Sequence, residues 1–230
     1  MSEVIHWKPA RRSSDLDVGD LHLWRIRTDD RGLDLDQGLS LLGERQQARA
    51  QCMRHAAYRE RYVRSHAGLR LILSRYLDLA PRAIGFEHGP AGKPFVAASA
   101  ISFNLTTTGD LALVGICAGT GPESEMGVDC EWIRPRVHFQ AIAERMFEPD
   151  ALGRLAAVPE TERLDSFYRA WTALEADAKS DGRGLFRPRA TGAPRPAIAH
   201  CLPETGYIAA VARVRLPPIE QWLTFDLDSH

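Results

Sequence analysis

Met126-Gly127-Val128-Asp129-Cys130-Glu131-Trp132 alternates small or apolar residues with carboxylates, and that alternation reads as a β-strand. A period of two puts Asp129 and Glu131 on one face and turns Val128 and Cys130 toward a core. Downstream, Leu164, Phe167, Trp171, Leu174 and Ala178 recur at spacings of three and four, so Glu160–Ser180 is predicted as a long helix with a buried stripe. Thr172, Glu175 and Lys179 share a neighbouring face of that helix. Gly182 and Gly184 follow it as a C-terminal stop.

Working outward, residues 111–117 form a short apolar run, long enough for a buried strand, and residues 118–125 form a Gly/Pro/Ser-rich loop after it. A further strand is expected at 21–28, and closing strands at 207–214 and 222–225. Residues 44–77 carry a helical pattern, broken near 57–59, and Pro81 stops it. After Pro135 two shorter helices are expected, at 137–147 and at Pro149–Ala157. Residues 103–109 read as a hydroxyl-rich turn, 89–94 as a Gly/Pro turn, and 186–199 as a surface loop. The expected architecture is α+β, a pseudo-twofold pair of similar α/β lobes. The lobes would span residues 1–121 and 122–230, with the boundary near 121–127.

Composition narrows the function. With 230 residues and 44% hydrophobic content, the chain can bury a core and is not a disordered protein. Its 29 basic residues nearly balance 30 acidic ones, so the basic surface of a nucleic-acid binder is absent in aggregate. The longest apolar run, 111–119, is far below the roughly 20 residues that span a bilayer, and the N-terminus has no signal-like apolar segment. Four scattered cysteines with no CxxC pair read as reduced thiols of a cytoplasmic protein. GxSxG and HExxH motifs are absent from the sequence.

Taken singly, the polar residues have plain readings: Asp129 and Glu131 as a solvated strand face, Glu175 and Lys179 as a helical i,i+4 pair. The sharper reading of the carboxylate pair is a site for Mg²⁺, which takes oxygen ligands and shares its shell with water and phosphate. The 103–109 segment could then offer hydroxyls and amides to a phosphate.

The order of these segments is more specific than any one of them. Gly92-Lys93-Pro94, Phe103-Asn104-Leu105-Thr106, Gly127-Val128-Asp129-Cys130-Glu131, then Trp171-Thr-x-x-Glu175-Ala-x-x-Lys179 and Gly182-x-Gly184-Leu185 follow one another. Over residues 41–185 the chain resembles the surfactin-type 4′-phosphopantetheinyl transferase family. That resemblance implies a monomer with coenzyme A and Mg²⁺ between two lobes. It further implies transfer of phosphopantetheine to a serine of an apo acyl or peptidyl carrier protein, with release of 3′,5′-ADP. By the same resemblance Asp129, Glu131 and Glu175 are the metal carboxylates, and Glu175 is also the base. Lys179 stands by the transferred phosphate, while Arg49, Arg61, Lys93, Thr106 and Thr107 hold coenzyme A. Two positions depart from the family pattern. Thr106-Thr107-Thr108 replaces Ser-His-Ser, and Leu174-Glu175 replaces Lys-Glu, so two cationic groups are lost. The alternatives are an enzyme of altered chemistry on a carrier-bound or CoA-linked substrate, and a non-catalytic carrier-binding module. Arg64 and Arg70 are expected on a solvated helix face, and the arginines of 184–195 as a docking surface for an acidic carrier.

Overall fold

The computed structural model describes residues 3–9, 15–29, 31–119, 121–135 and 138–227. The strand read from Met126–Trp132 is β8, and the long helix Glu160–Ser180 is α6. Two sheets carry the fold. In one, β1 (Glu3–Val4), β9 (Ala197–Leu202), β10 (Tyr207–Arg213) and β8 lie in that order. In the other the order is β2 (Lys8–Pro9), β11 (Leu223–Asp226), β3 (His22–Arg27), β7 (Leu111–Ala118) and β6 (Ile101–Thr108). A small hairpin, β4 (Glu87–His88) with β5 (Pro94–Phe95), stands apart.

Period-two side chains place the sheets. From β7, Leu111, Leu113 and Cys117 meet Met126, Val128 and Cys130 of β8 in a core between the sheets. The other face of β7, with Ala112, Val114 and Ile116, packs with Leu69, Ile72 and Leu73 of helix α3 (Ala56–Leu77). Hence β7 is apolar on both faces, as a strand covered on both sides must be. On the far side α6 lies across β8 and β10, and the contact is made by small residues: Ala176 meets Ala210 and Ala212. A Cβ at Gly127 would stand 2.0 Å from the carbonyl oxygen of Ala176, so glycine is required for this approach. The helices α1 (Leu35–Leu41) and α2 (Glu44–Gln51) pack beside α3, and α4 (Phe139–Met146) and α5 (Pro149–Ala157) beside α6.

β7 of one sheet ends at Ala118, and β8 of the other begins at Met126. The ends of the chain cross back, because β1 pairs with β9 and β11 with β3. The break in the 44–77 helical stretch falls at residues 52–55, earlier than expected, where His55 takes extended backbone before α3 begins. The start expected for α4 at Val137 lies outside the described residues. The largest correction concerns 103–109, expected as a turn. It is strand β6, fully paired with β7 from Ile101 to Thr108. Its threonines are β-branched and suit an extended backbone. The turn is confined to Gly109, at φ +54°, and Asp110. The loop expected over 186–199 likewise gives way to β9 at Ala197.

Candidate active site

Edge strands β6 and β8, one from each sheet, run side by side and are joined by side chains instead of a backbone ladder. Asn104, Thr106 and Thr108 alternate along β6 and all reach toward β8. Asn104 Oδ1 accepts from the Val128 N–H at 2.8 Å, and Thr108 Oγ1 accepts from the Trp132 N–H at 3.3 Å. These contacts satisfy edge amides of β8 that would otherwise stay unpaired. The same hydroxyls meet the carboxylates: Thr106 donates to Asp129 at 3.1 Å and Thr108 donates to Glu131 at 3.3 Å.

From the other side, α6 brings Glu175 and Lys179 over β8. The Lys179 ammonium stands 2.5 Å from Asp129 Oδ1 and 3.5 Å from Glu175 Oε2. The helical i,i+4 pair is therefore present, but its lysine reaches further, to a buried carboxylate. Asp129 is only 3% exposed, which corrects the solvated-face reading. Burial pushes its carboxyl above the ordinary range, and Lys179 and the Thr106 hydrogen bond oppose that rise. Glu175 is also raised, by burial and then by the charge of Asp129. For Lys179 burial works against the charge, yet Asp129 and Glu175 outweigh it and hold the ammonium above its usual value. Trp171, one turn before Glu175, donates its indole N–H to Glu131 Oε1 at 3.2 Å.

Among the described residues no three His, Cys, Asp or Glu side chains are gathered closely enough to cage a metal ion. Lys179 lies against Asp129 and Glu175, and Glu131 is turned to Thr108 and Trp171. The donor set nevertheless fits a hard cation. All three candidates are carboxylates, and Asp129 Oδ2 is buried without a hydrogen-bond partner. Mg²⁺ commonly takes only one or two protein carboxylates and completes its shell with water and phosphate.

Two cavities open beside this wall. One, about 290 Å³, is lined by Glu175, Lys179, Asn104 and the 91–94 turn. The other, about 780 Å³, is basic, with Arg45, Arg49, Arg70, Arg82 and His66 in its lining. Gly92, Pro94 and Leu105 border both. Arg49, in the last turn of α2, stands over the Tyr62 ring at 5.4 Å.

The other expected phosphate ligands lie elsewhere. Arg61 turns to Asp110 at 3.0 Å and does not line either cavity. Lys93 lines the smaller cavity, but its ammonium donates to the backbone oxygens of Met126 at 3.0 Å and Ser180 at 2.6 Å. It thus ties the 91–94 turn to β8 and to the end of α6, and burial lowers its basicity. Thr107 is exposed on the opposite face of β6 from Thr106. Leu174 packs with the Phe167 and Trp171 cluster, so the residue standing where the family has lysine is core.

Arg64 and Arg70 are not on a solvated face. Arg64 donates to the backbone oxygens of Leu33 and Thr28. Arg70, 4% exposed, donates to Gln46 and to the backbone oxygens of Pro81 and Ile84, which fixes the wall of the basic cavity. Beyond α6, Arg183 and Arg189 are spent on Asp177 and Asp181, and Arg189 lies inside the stretch expected to dock a carrier. All four cysteines are free. No described helix is long and apolar enough to cross a membrane.

Comparison with known proteins finds similar sequences. The pattern of the 4′-phosphopantetheinyl transferase superfamily matches residues 125–207, which include β8, α6 and all of β9. The chain is 28% identical over 223 residues to the 4′-phosphopantetheinyl transferase HetI of Nostoc sp., an alignment covering 90% of this chain and 92% of that protein. It is 35% identical over 120 residues to AcpT of Salmonella typhimurium, covering 51% of this chain and 58% of that protein. To AcpT of Escherichia coli K12 it is 34% identical over 131 residues, covering 56% and 61%. Asp129, Glu131, Glu175 and Lys179 all lie inside the segment, 125–207, that is similar to the 4′-phosphopantetheinyl transferase superfamily.

Proposed function

We propose that the chain is a surfactin-type member of this superfamily, a monomeric cytoplasmic enzyme. It transfers 4′-phosphopantetheine from coenzyme A to a serine of an apo acyl or peptidyl carrier protein. The observation that carries the reading is the meeting of Asp129, Glu175 and Lys179, the last two lining the smaller cavity, which shares the border residues Gly92, Pro94 and Leu105 with the basic one. The basic cavity suits the nucleotide end of coenzyme A: Arg45, Arg49 and Arg82 supply charge for phosphates, and Tyr62 and Phe86 supply aromatic surface. The smaller cavity leads from that border along Lys179 and suits the pantetheine arm.

Asp129, Glu131 and Glu175 would hold Mg²⁺, which when bound would neutralise charge on the pyrophosphate and on the departing phosphate. The serine hydroxyl attacks the pantetheine-bearing phosphorus. The new P–O bond forms as the bond from that phosphorus to the bridging oxygen breaks, and 3′,5′-ADP departs. Glu175 takes the serine proton. Its raised carboxyl makes it a stronger base than an ordinary surface glutamate. Lys179 offers its ammonium to the non-bridging oxygens, and positioning accounts for most of the remaining catalysis.

The test is direct. Purified protein, coenzyme A, Mg²⁺ and a panel of apo carrier proteins are combined, and the carriers are read by intact mass. Addition of one phosphopantetheine group is the expected result. Carriers left unmodified by a protein that still binds coenzyme A would favour altered chemistry on the same scaffold.

A further inference from the structure

We propose that Thr108 and Trp171 are positioning residues for Glu131, each fixing one oxygen of its carboxylate. Trp171 donates its indole N–H to Oε1 at 3.2 Å from α6, and Thr108 donates its hydroxyl to Oε2 at 3.3 Å from β6. The Thr108 hydroxyl is itself oriented. The backbone N–H of Trp132 donates to Thr108 Oγ1 at 3.3 Å, which occupies a lone pair and leaves the O–H directed at Glu131. Trp171 is held by its ring, stacked 6.3 Å from Phe167, and by the cluster around it.

The arrangement parallels the one at Asp129, where Thr106 two residues earlier on β6 donates to Oδ1. The β-strand period explains both contacts: residues 106 and 108 share a face of β6, residues 129 and 131 share a face of β8, and the two faces meet. Glu131 differs from Asp129 in reach and freedom. Its longer side chain has an extra rotatable bond, and it sits at the more open end of β8. Two donors from two elements remove that freedom before any ligand arrives, the usual work of groups that orient a metal-binding carboxylate.

This inference rests on the reading of Glu131 as a ligand for a divalent cation. Its test therefore uses Mn²⁺ alone, with the free ion counted by electron paramagnetic resonance as it is titrated into the purified protein. Thr108→Val and Trp171→Phe each keep the packing shape and remove one donor. Each is expected to weaken Mn²⁺ binding about 10-fold, the low end for such orienting groups. Thr108→Ser keeps the hydroxyl and should bind within about 2-fold of the parent. Parent-like affinity in both Thr108→Val and Trp171→Phe overturns the proposal. So does an affinity loss in Thr108→Ser that follows a fall in its melting temperature, because the role is then only structural. Glu131→Gln isolates the underlying reading. If it binds Mn²⁺ like the parent, Glu131 is not a ligand and the proposal falls with that reading.

Discussion

The carboxylate wall of β8 and α6 and the basic cavity of α2 and α3 are assembled differently. In the wall, the four charged groups come from two elements and are spaced by the elements' own periods: Asp129 and Glu131 two apart, Glu175 and Lys179 four apart. In the cavity, Arg45 and Arg49 come from α2, His66 and Arg70 from α3, and Arg82 from the turn after α3. Only tertiary packing brings those three segments together. The wall is compact, and Lys179 offsets only part of the charge of its three carboxylates. The cavity collects positive charge that little within it offsets, which is what a polyanionic ligand requires.

If this division is right, substitutions in the wall change the rate and substitutions in the cavity change binding and stability. Asp129→Ala should have the largest effect, lowering transfer by about 10³-fold or more while coenzyme A binding, measured by calorimetry, falls much less. Equal losses in both would erase the distinction. Arg70→Met removes a buried cation that holds four acceptors. It should cost about 3 kcal/mol in urea unfolding and weaken coenzyme A binding through the loosened cavity. A parent-like midpoint would show that Arg70 is not structural.

His66 supplies a pH test. Burial, and then the nearby Arg49 and Arg70 charges, hold its imidazole down at about 4, against the Tyr62 carbonyl contact, which favours the proton. The unfolded chain protonates near 6.5 and the folded chain near 4, so the unfolded state binds more protons between those values. His66 therefore contributes nothing to pH dependence above 6.5, and it destabilises the fold progressively as pH falls from 6.5 to 4. The difference in stability between the parent and His66→Gln should shift by roughly 3 kcal/mol across that window. A flat difference would place a charged imidazole in the cavity. The smallest effect is expected for Arg49→Ala, an exposed cation. Coenzyme A affinity should fall about 10-fold, with the melting temperature and the saturated transfer rate unchanged.

The same contrast explains what could be read from sequence. The wall was legible because strand and helix periods act over a few residues, and the bounds of β8, α5 and α6 followed from pattern alone. Its partner strand was not. The run Thr106-Thr107-Thr108 next to Gly109 has turn composition, yet its β-branched residues pair with β7 throughout. With β6 taken as a turn, the period that aims Thr108 at Glu131 and Thr107 away from it was out of reach. In the cavity, Arg61 and Arg70 look alike by composition, but they sit nine residues apart on α3 and face different neighbours. A usable signal did exist: Tyr62, His66 and Arg70 recur every four residues, and Arg70 lies inside the apolar stripe of Leu69, Ile72 and Leu73. A charged residue in a buried stripe must be paired, and here its partners are backbone carbonyls that only the fold supplies.

The central claim, that the carboxylate wall works through a divalent cation, is tested most directly by metal removal. Protein freed of metal with a chelator should transfer no phosphopantetheine to an apo carrier, as read by intact mass. Added Mg²⁺ should restore the parent protein but not Asp129→Ala. Full transfer by the chelated protein, or restoration of Asp129→Ala to the parent rate, would contradict the account.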